Sequence, residues 1–495
     1  MLSIVIFLPL LVGAALAVMR GLPARAARLV WLATTLADLA LLIVLTFTAS
    51  TGAGGLRAEE RVNWMPQLGS SYHLGVDGLS LPLLLLAGVI FVVCAIWSLR
   101  ETDRPRPQAA LFLFLQTTCL GLFAAQDLIL FFLFFDLSIV GMYFVIAGWG
   151  HGNQRHSALV FFIYTFLGSL ALLLGFIGLY LGATPHTFDM VELSRHGAFT
   201  GTPAAAGFVL AAIVIGLAVK TPTFPFHSWL PPAHTDAPTI GSVVLASLLL
   251  KMGTYGFVRI AMPMLPDAWR SWAWVIIAIG IVSVLYGALV ALVQADIKRM
   301  IAFTSINHMG YVVLAVGAAG VLGRTTAEAQ QLAIAGAATQ MVSHGLITGA
   351  LFLLAGVFYD RTGSYDLRQY GGLARPAPAF AGFFAIAAFA SLGLPGFSGF
   401  IAEFQIFTGS IGTVPWTLIA LPGILITAVL FLRAFQRVFT GETKQLSAGF
   451  ADLHPRETTA LAVLTVLSVL IGIVPGPLLA MIEPAAKVLV GSLTP

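Results

Sequence analysis

The sequence predicts an all-α polytopic membrane protein of about 14 spans, with one broken helix in each of two halves. Three observations carry this. Of the 495 residues, 59% are hydrophobic and only 9% are charged, against roughly 25% charged in an ordinary soluble domain. Apolar runs of roughly 20 residues, long enough to cross the hydrocarbon core as a helix, recur from end to end. Two of these runs are interrupted by proline and glycine beside an ionisable residue.

The same totals exclude several classes of function. The longest polar gaps, 49–75 and 182–203, are shorter than a self-standing domain of about 50 residues or more. The net charge is +4, with Lys and Arg scattered through short loops, so no basic stripe awaits a nucleic acid. Cys94 and Cys119 fall inside apolar runs, which argues against a disulfide or a metal site. No C-x-x-C pair, dinucleotide-binding glycine fingerprint or P-loop is present. The chain is therefore expected to carry no redox centre and to hydrolyse no nucleotide.

In order, the first run (2–19) lacks a basic segment ahead of it and is read as a retained helix, not a cleaved leader. The next spans are expected at 26–48, 76–99, 109–125, 127–147 and 158–181, separated by polar or basic turns. The seventh, 206–228, runs into the first break, and 237–261, 271–294, 300–320 and 330–358 follow it. The twelfth, 378–408, contains the second break. Spans at 415–438 and 458–482 complete the set. Numbering the loops in turn, the odd ones hold about twice as many Lys and Arg as the even ones. Arg20, Arg25, Arg104, Arg155, Lys298, Arg368 and Arg437 stand against Arg57, Arg195, Arg270 and Arg324. The odd loops are thus expected on the cytoplasmic side and both termini outside.

The first break, VKTPTFPFHSWLPPAHTDAPTIGS (Val219–Ser242), holds five prolines, Lys220, His227 and His234. In lipid, backbone groups freed by proline must find protein or water partners, so irregular backbone is confined to sites that line a cavity. The second break, SLGLPGFSGFIAEF (391–404), carries Glu403. Paired breaks in corresponding parts of two halves are the sequence sign of an internal repeat with its site at the midplane.

Few titratable groups remain inside the spans: Asp38, Asp136, Lys220, Lys251, His308, His344, Glu403 and Arg433. A charge near the bilayer centre costs about 2.5–3.5 kcal/mol on insertion scales, so a series of them calls for a purpose. A structural ion pair is the plain alternative for Asp136 with a lysine, and a hydrogen-bonded core residue is the plain alternative for each histidine. Arg433 is close enough to Arg437 to snorkel. Asp38 can border a polar helix interface, Asp77 reads as a helix N-cap, and Asp296–Arg299 reads as a plain loop. Taken as a series, the acids, lysines and histidines can pass a proton between them. Burial disfavours a charged lysine and an approaching carboxylate restores it, so an acid that nears and recedes would load and unload Lys220. Histidine is suited to hand the proton on.

LGVDGLSLPLLLL, FFLFFDLSIVGMYFVIAGWG, AVKTPTFPFHSWLPPAHTDAPTIGSVVLASLLLKMGTYG, DIKRMIAFTSINHMGYV, QMVSHGLITGALFLLAG and LGLPGFSGFIAEF follow one another over most of 75–410. In these the chain resembles the antiporter-like M subunits of bacterial NADH-quinone oxidoreductase, respiratory complex I. The resemblance implies 14 helices: three at 1–108, an inverted pair of five-helix repeats at 109–261 and 271–438, and a last helix in 439–495. The broken helices fall near 219–230 and 391–404. It implies a proton path through Asp136, the acid paired with the pumping Lys220, then Lys251, His308, His344 and Glu403, with His227 and His234 lining the path. FMN, iron–sulfur clusters and quinone are implied on partner subunits and no cofactor on this chain. The implied partners are the neighbouring antiporter-like L and N subunits, in a bacterial cytoplasmic membrane. The family typically has glutamate where this chain has Asp136, and the shorter side chain calls for a helix shift or a bridging water. Two rivals are the large subunit of a multisubunit Na⁺/H⁺ antiporter, similar over the same motifs, and a scaffold whose buried charges only fix helix packing.

Overall fold

The computed structural model describes residues 1–19, 21–48, 55–100, 103–199, 203–321 and 326–493. Arg20 and Arg324, counted among the loop charges, lie outside these. The N-terminal helices are α1 (Leu2–Val18), α2 (Ala24–Thr48) and α3 (Leu81–Trp97). Between α2 and α3 the polar gap folds as an antiparallel hairpin, β1 (Arg57–Met65) and β2 (Ser70–Val76). The sequence reading did not anticipate this hairpin. Alternation is weak in β1, and β2 is buried by tertiary packing instead of its own pattern.

The first repeat comprises α4 (Pro105–Ala124), α5 (Leu128–Trp149), α6 (Gln154–Gly182), a short α7 (Met190–His196), and the broken pair α8 (Pro203–Lys220) and α9 (Leu230–Asp236). It ends with the helix Thr239–Met264, in which α10 (Thr239–Val244), α11 (Leu250–Gly256) and α12 (Met262–Met264) are joined by π turns at Leu245–Leu249 and Phe257–Ala261. The second repeat comprises α13 (Pro266–Leu292), α14 (Ile297–Ala319), α15 (Ala327–Thr362), the broken pair α16 (Pro378–Ser391) and α17 (Ser398–Thr413), and α18 (Pro422–Phe439). Five crossings in the first repeat start the second from the opposite face, which makes the two inverted copies.

Local chemistry sets the helix starts. Asp127 accepts from the amides of Ile129 and Leu130 at the head of α5, Asp296 from Arg299 at α14, and Thr326 from Ala329 at α15. Proline occupies the first turn of α4, α13, α16 and α18, where its missing N–H costs nothing. Odd loops meet odd loops: the Arg28 guanidinium donates to Leu99, and Arg361 pairs with Glu457 at 2.6 Å. Even loops meet even loops, as His73 does with Asp189 at 2.7 Å. The two faces assigned from the chain are therefore distinct faces of the molecule.

After a short α19 (Gln445–Ala448), the expected last span 458–482 is two helices, α20 (Pro455–Ile473) and α21 (Gly476–Leu493). Pro475 and Gly476 break the run, since proline cannot donate into a continuing helix. Gly78 packs on the Met481 carbonyl and Arg270 donates to the Leu493 carbonyl, so α21 lies along the even-loop face.

Three spans are enclosed by protein almost all round: Thr239–Met264, α14 and α15, at 94%, 100% and 100% buried. These form the centre. Helices α13 and α14 touch backbone to backbone through Gly280, Gly287, Gly310 and Gly317. A Cβ on any of the four would come within 2.6–2.9 Å of a backbone nitrogen of the partner helix.

Candidate functional site

Lys220 is the last residue of α8, where a cation suits the negative end of the helix dipole. Beyond it the chain turns through 221–229, and side chains take up the freed carbonyls. Trp229 Nε1 donates to Val219 O at 2.9 Å, and the amide of Thr223 donates to Ala218 O at 3.1 Å. Ser283 Oγ of α13 accepts from the Phe224 amide at 3.0 Å. The break is thus built into the protein and not frayed.

The Lys220 side chain is 1% exposed. Its Nζ donates to Ser138 Oγ at 3.1 Å and lies 4.7 Å from the centre of the Phe135 ring. Ser138 and Phe135 are three apart on α5 and share a face; Asp136 lies to the side of it. Asp136 is half-buried, and its Oδ1 is buried without a protein partner. No ion pair within 4.0 Å joins Asp136 to Lys220 among the described residues. The Ser138 hydroxyl, and not the Asp136 carboxylate, is the side-chain hydrogen-bond partner of the Lys220 amine among the described residues. Sequence reasoning passed over Ser138, although its position two residues after the buried acid was a signal.

Lys251, on α11 between the π turns, is fully buried. Its Nζ donates to Ala246 O at 2.6 Å and shares a hydrogen bond of 2.6 Å with His344 Nδ1. His344 on α15 meets His308 on α14 edge to face, with ring centres 5.4 Å apart. His308 Nε2 lies 4.0 Å from Glu403 Oε1 on α17. The His308 ring also hydrogen-bonds the backbone at Ser391, where the end of α16 frees a carbonyl. Lys251, His344, His308 and Glu403 thus form one line in that order, across three helices of the second repeat and the last helix of the first. The Nε2 atoms of both histidines have no hydrogen-bond partner in the protein, and buried polar atoms of this kind are the ones that ordered water meets.

The structure brings these four together and sets Asp136 with Lys220, but no hydrogen bond or ion pair joins the two groups among the described residues. Thr221 stands at the boundary. It follows Lys220, its Oγ1 is buried without a partner, and it packs on Gly253 of α11. Of the two lining candidates, His227 Nε2 lies 3.1 Å from the Tyr286 hydroxyl, while His234 is fully buried and stacked on Phe352 with neither ring nitrogen paired. His234 lies within electrostatic reach of both Lys251 and Lys298.

Lys298 corrects the sequence reading. Capping by Asp296 puts it in the first turn of α14, turned inward and fully buried, where Nζ donates to Ala237 O at 2.6 Å. Pro238 follows Ala237, and α9 has ended, so that carbonyl is free to accept. Arg433 is exposed, as snorkelling requires. Asp77 accepts from the amides of Leu79 and Ser80 ahead of α3 and pairs with Arg259 at 2.8 Å.

The sequence profile of the family described as "NADH:quinone oxidoreductase/Mrp antiporter, TM" matches residues 125–430. The chain is 39% identical to NADH-quinone oxidoreductase subunit M of Rickettsia prowazekii, over 85% of this chain and 84% of that one. It is 38% identical to F(420)H(2) dehydrogenase subunit M of Methanosarcina mazei, over 90% and 88%. Among solved structures, a chain of respiratory complex I from Thermus thermophilus superposes with a TM-score of 0.89 at 29% identity, each chain covered in full. Both breaks, both lysines, both histidines and Glu403 fall inside the matched stretch, and the chain belongs to the NADH:quinone oxidoreductase/Mrp antiporter transmembrane family.

Proposed function

We propose that this chain is a proton-translocating membrane-arm subunit of an NADH-quinone oxidoreductase and moves H⁺ through the two buried groups just described. The observation that carries the reading is the Lys251–His344 hydrogen bond of 2.6 Å, continued by the buried side chains of His308 and Glu403. Lysine, imidazole and carboxyl can each gain and lose a proton, and every member reaches the next directly or through one water. In the first repeat Asp136 modulates Lys220 while Ser138 holds its amine. Thr221 is the step between the two groups.

Electron transfer from NADH to quinone drives this movement from partner subunits, which carry the flavin, the iron–sulfur clusters and the quinone; this chain supplies the ion path alone. Its neighbours in the membrane arm are the antiporter-like L and N subunits. It sits in a bacterial cytoplasmic membrane, with the arginine-rich odd loops inside and both termini outside. Glu403 favours this over the large subunit of a Na⁺/H⁺ antiporter, where lysine is the usual residue. A pure scaffold would need no chain of exchangeable donors spaced this closely.

The deciding experiment is Lys220→Ala in the assembled complex. Proton pumping is expected to be lost and coupled quinone reduction to fall, with the amount of assembled complex unchanged. Normal pumping by an assembled variant refutes the reading.

A further inference from the structure

We infer that a hydrated polar seam along α2 and α4 brings protons from the odd-loop face to Lys220, and that the Asp38 carboxyl carries them. This rests on the reading of Lys220 as a proton carrier.

The buried stripe of α2 has two unlike halves. From the middle to the even-loop end it is Leu42 and Leu45; from the odd-loop end to the middle it includes Trp31, Thr34, Thr35 and Asp38. Asp38 stands 14 residues beyond Ala24, roughly 21 Å along the axis at 1.5 Å per residue, and is fully buried. No basic residue occurs in α1 or α3. On α4, Arg106 sits in the first turn and donates to the Met19 carbonyl at 2.6 Å. A carboxyl so deep with no cation at hand takes the neutral, protonated form.

The contact with Gln116 of α4 is compatible with that form. Gln116 Nε2 donates to Asp38 Oδ2 at 2.6 Å, a bond that the carbonyl oxygen of a protonated acid accepts. Asp38 Oδ1 has no protein partner, which leaves the acid proton on that oxygen for water.

Buried polar atoms without a protein partner recur on these two helices: Arg28 Nε, Trp31 Nε1 and Asp38 Oδ1 on α2, Gln116 Oε1 and Thr117 Oγ1 on α4. In native proteins such atoms are met by water. The far end reaches Lys220. Gly121 packs under the Phe134 ring and Gly141 against Leu115, so antiparallel α4 and α5 set residues 116–119 beside 136–139. That is the level of Asp136 and Ser138, which flank the lysine amine. Cys119, one turn beyond Gln116, is fully buried at this level.

In the transfer, the Asp38 O–H bond breaks and its proton passes through water beside Gln116 and Thr117 to the neutral Lys220 amine. The carboxylate left behind is reprotonated from water on the Trp31 and Arg28 side. No electrons move.

The test uses the intact complex in membrane vesicles, with Asp38→Asn, Asp38→Glu, Thr117→Val and, in parallel, Lys220→Ala. Asparagine keeps the hydrogen bond to Gln116 but holds no exchangeable acid proton. Pumping is expected to fall about tenfold or more in Asp38→Asn and to recover in Asp38→Glu. The infrared carbonyl band of a protonated carboxylic acid is expected to disappear in Asp38→Asn. Wild-type pumping in Asp38→Asn, with pumping abolished in Lys220→Ala, overturns the inference alone. Normal pumping in Lys220→Ala strikes the parent reading instead. Should Asp38→Asn fail to assemble, Thr117→Val decides: slowed pumping supports the seam and unchanged pumping overturns it.

Discussion

The Lys251 amine lies 2.6 Å from His344 Nδ1, so lysine and imidazole share one hydrogen bond, while His344 Nε2 has no protein partner. Either group can be the donor, according to which of them holds the proton. Arginine can keep the charge and the hydrogen bond but stays protonated at any working pH. Lys251→Arg is expected to assemble and to lose pumping, measured as proton uptake per quinone reduced. Full pumping would reduce the lysine to a fixed counter-charge.

At the first break, Ser138 accepts from the Lys220 amine and is two residues on from Asp136 along α5. Asp136→Glu is expected to preserve pumping and Asp136→Asn to lose it. Ser138→Ala removes a hydrogen bond to a charged group, worth about 1.5–3 kcal/mol, and is expected to lower both the melting temperature and the pumping rate. Equal pumping in all three variants would leave the cluster a packing role only.

Gly393 lies in the second break with φ +73°, and a Cβ there would strike the Glu403 carboxylate. Gly396 has φ +99° and open space around it. A left-handed backbone costs a non-glycine residue about 1–2 kcal/mol, so both alanine variants should melt earlier. Only Gly393→Ala is expected to lose pumping as well, because only it displaces the carboxyl from His308. Pumping measured in the two variants side by side checks this.

His73 of the hairpin is enclosed between Asp189 at 2.7 Å and Glu59 at 3.0 Å. Burial alone would favour its neutral form, but the two carboxylates outweigh this and hold its pKa above the ordinary 6.5. Burial would likewise raise Asp189, yet the His73 hydrogen bond holds it below 3.8. The histidine's share of stability is complete below pH 6.5 and fades as pH rises through its raised value. The aspartate's share is complete above 3.8 and fades as pH falls through its lowered value. The hairpin is expected to be firmest between those limits. Amide exchange of residues 70–76, corrected for intrinsic rate, should quicken at alkaline pH in the wild type and lose that dependence in His73→Gln.

The spans and both breaks were legible in the sequence because lipid permits so few alternatives. An apolar run of about 20 residues must be helical, and a proline-rich interruption with a lysine must be sheltered. The six residues proposed for the relay stood out for the same reason, being costly to bury. Ser138, Thr221 and Lys298 did not. A hydroxyl is cheap inside a helix, where it bonds its own backbone, so only the neighbour across the interface shows that it serves a lysine. Lys298 read as loop because a cap and one turn of helix decide which way it points. The hairpin was hidden because the helices around it, more than its own alternation, bury β2. The split of the last span at Pro475 was visible, but hydropathy averaged over a window bridges one proline.

The glycine contacts between α13 and α14 bear on how such a pump can work. With backbones touching at four points, the two helices cannot slide or rotate past each other without collision, so they act as a stator and hold His308 still. Opening or shutting the 4.0 Å gap to Glu403 then falls to α17 or to rotation of the two side chains themselves.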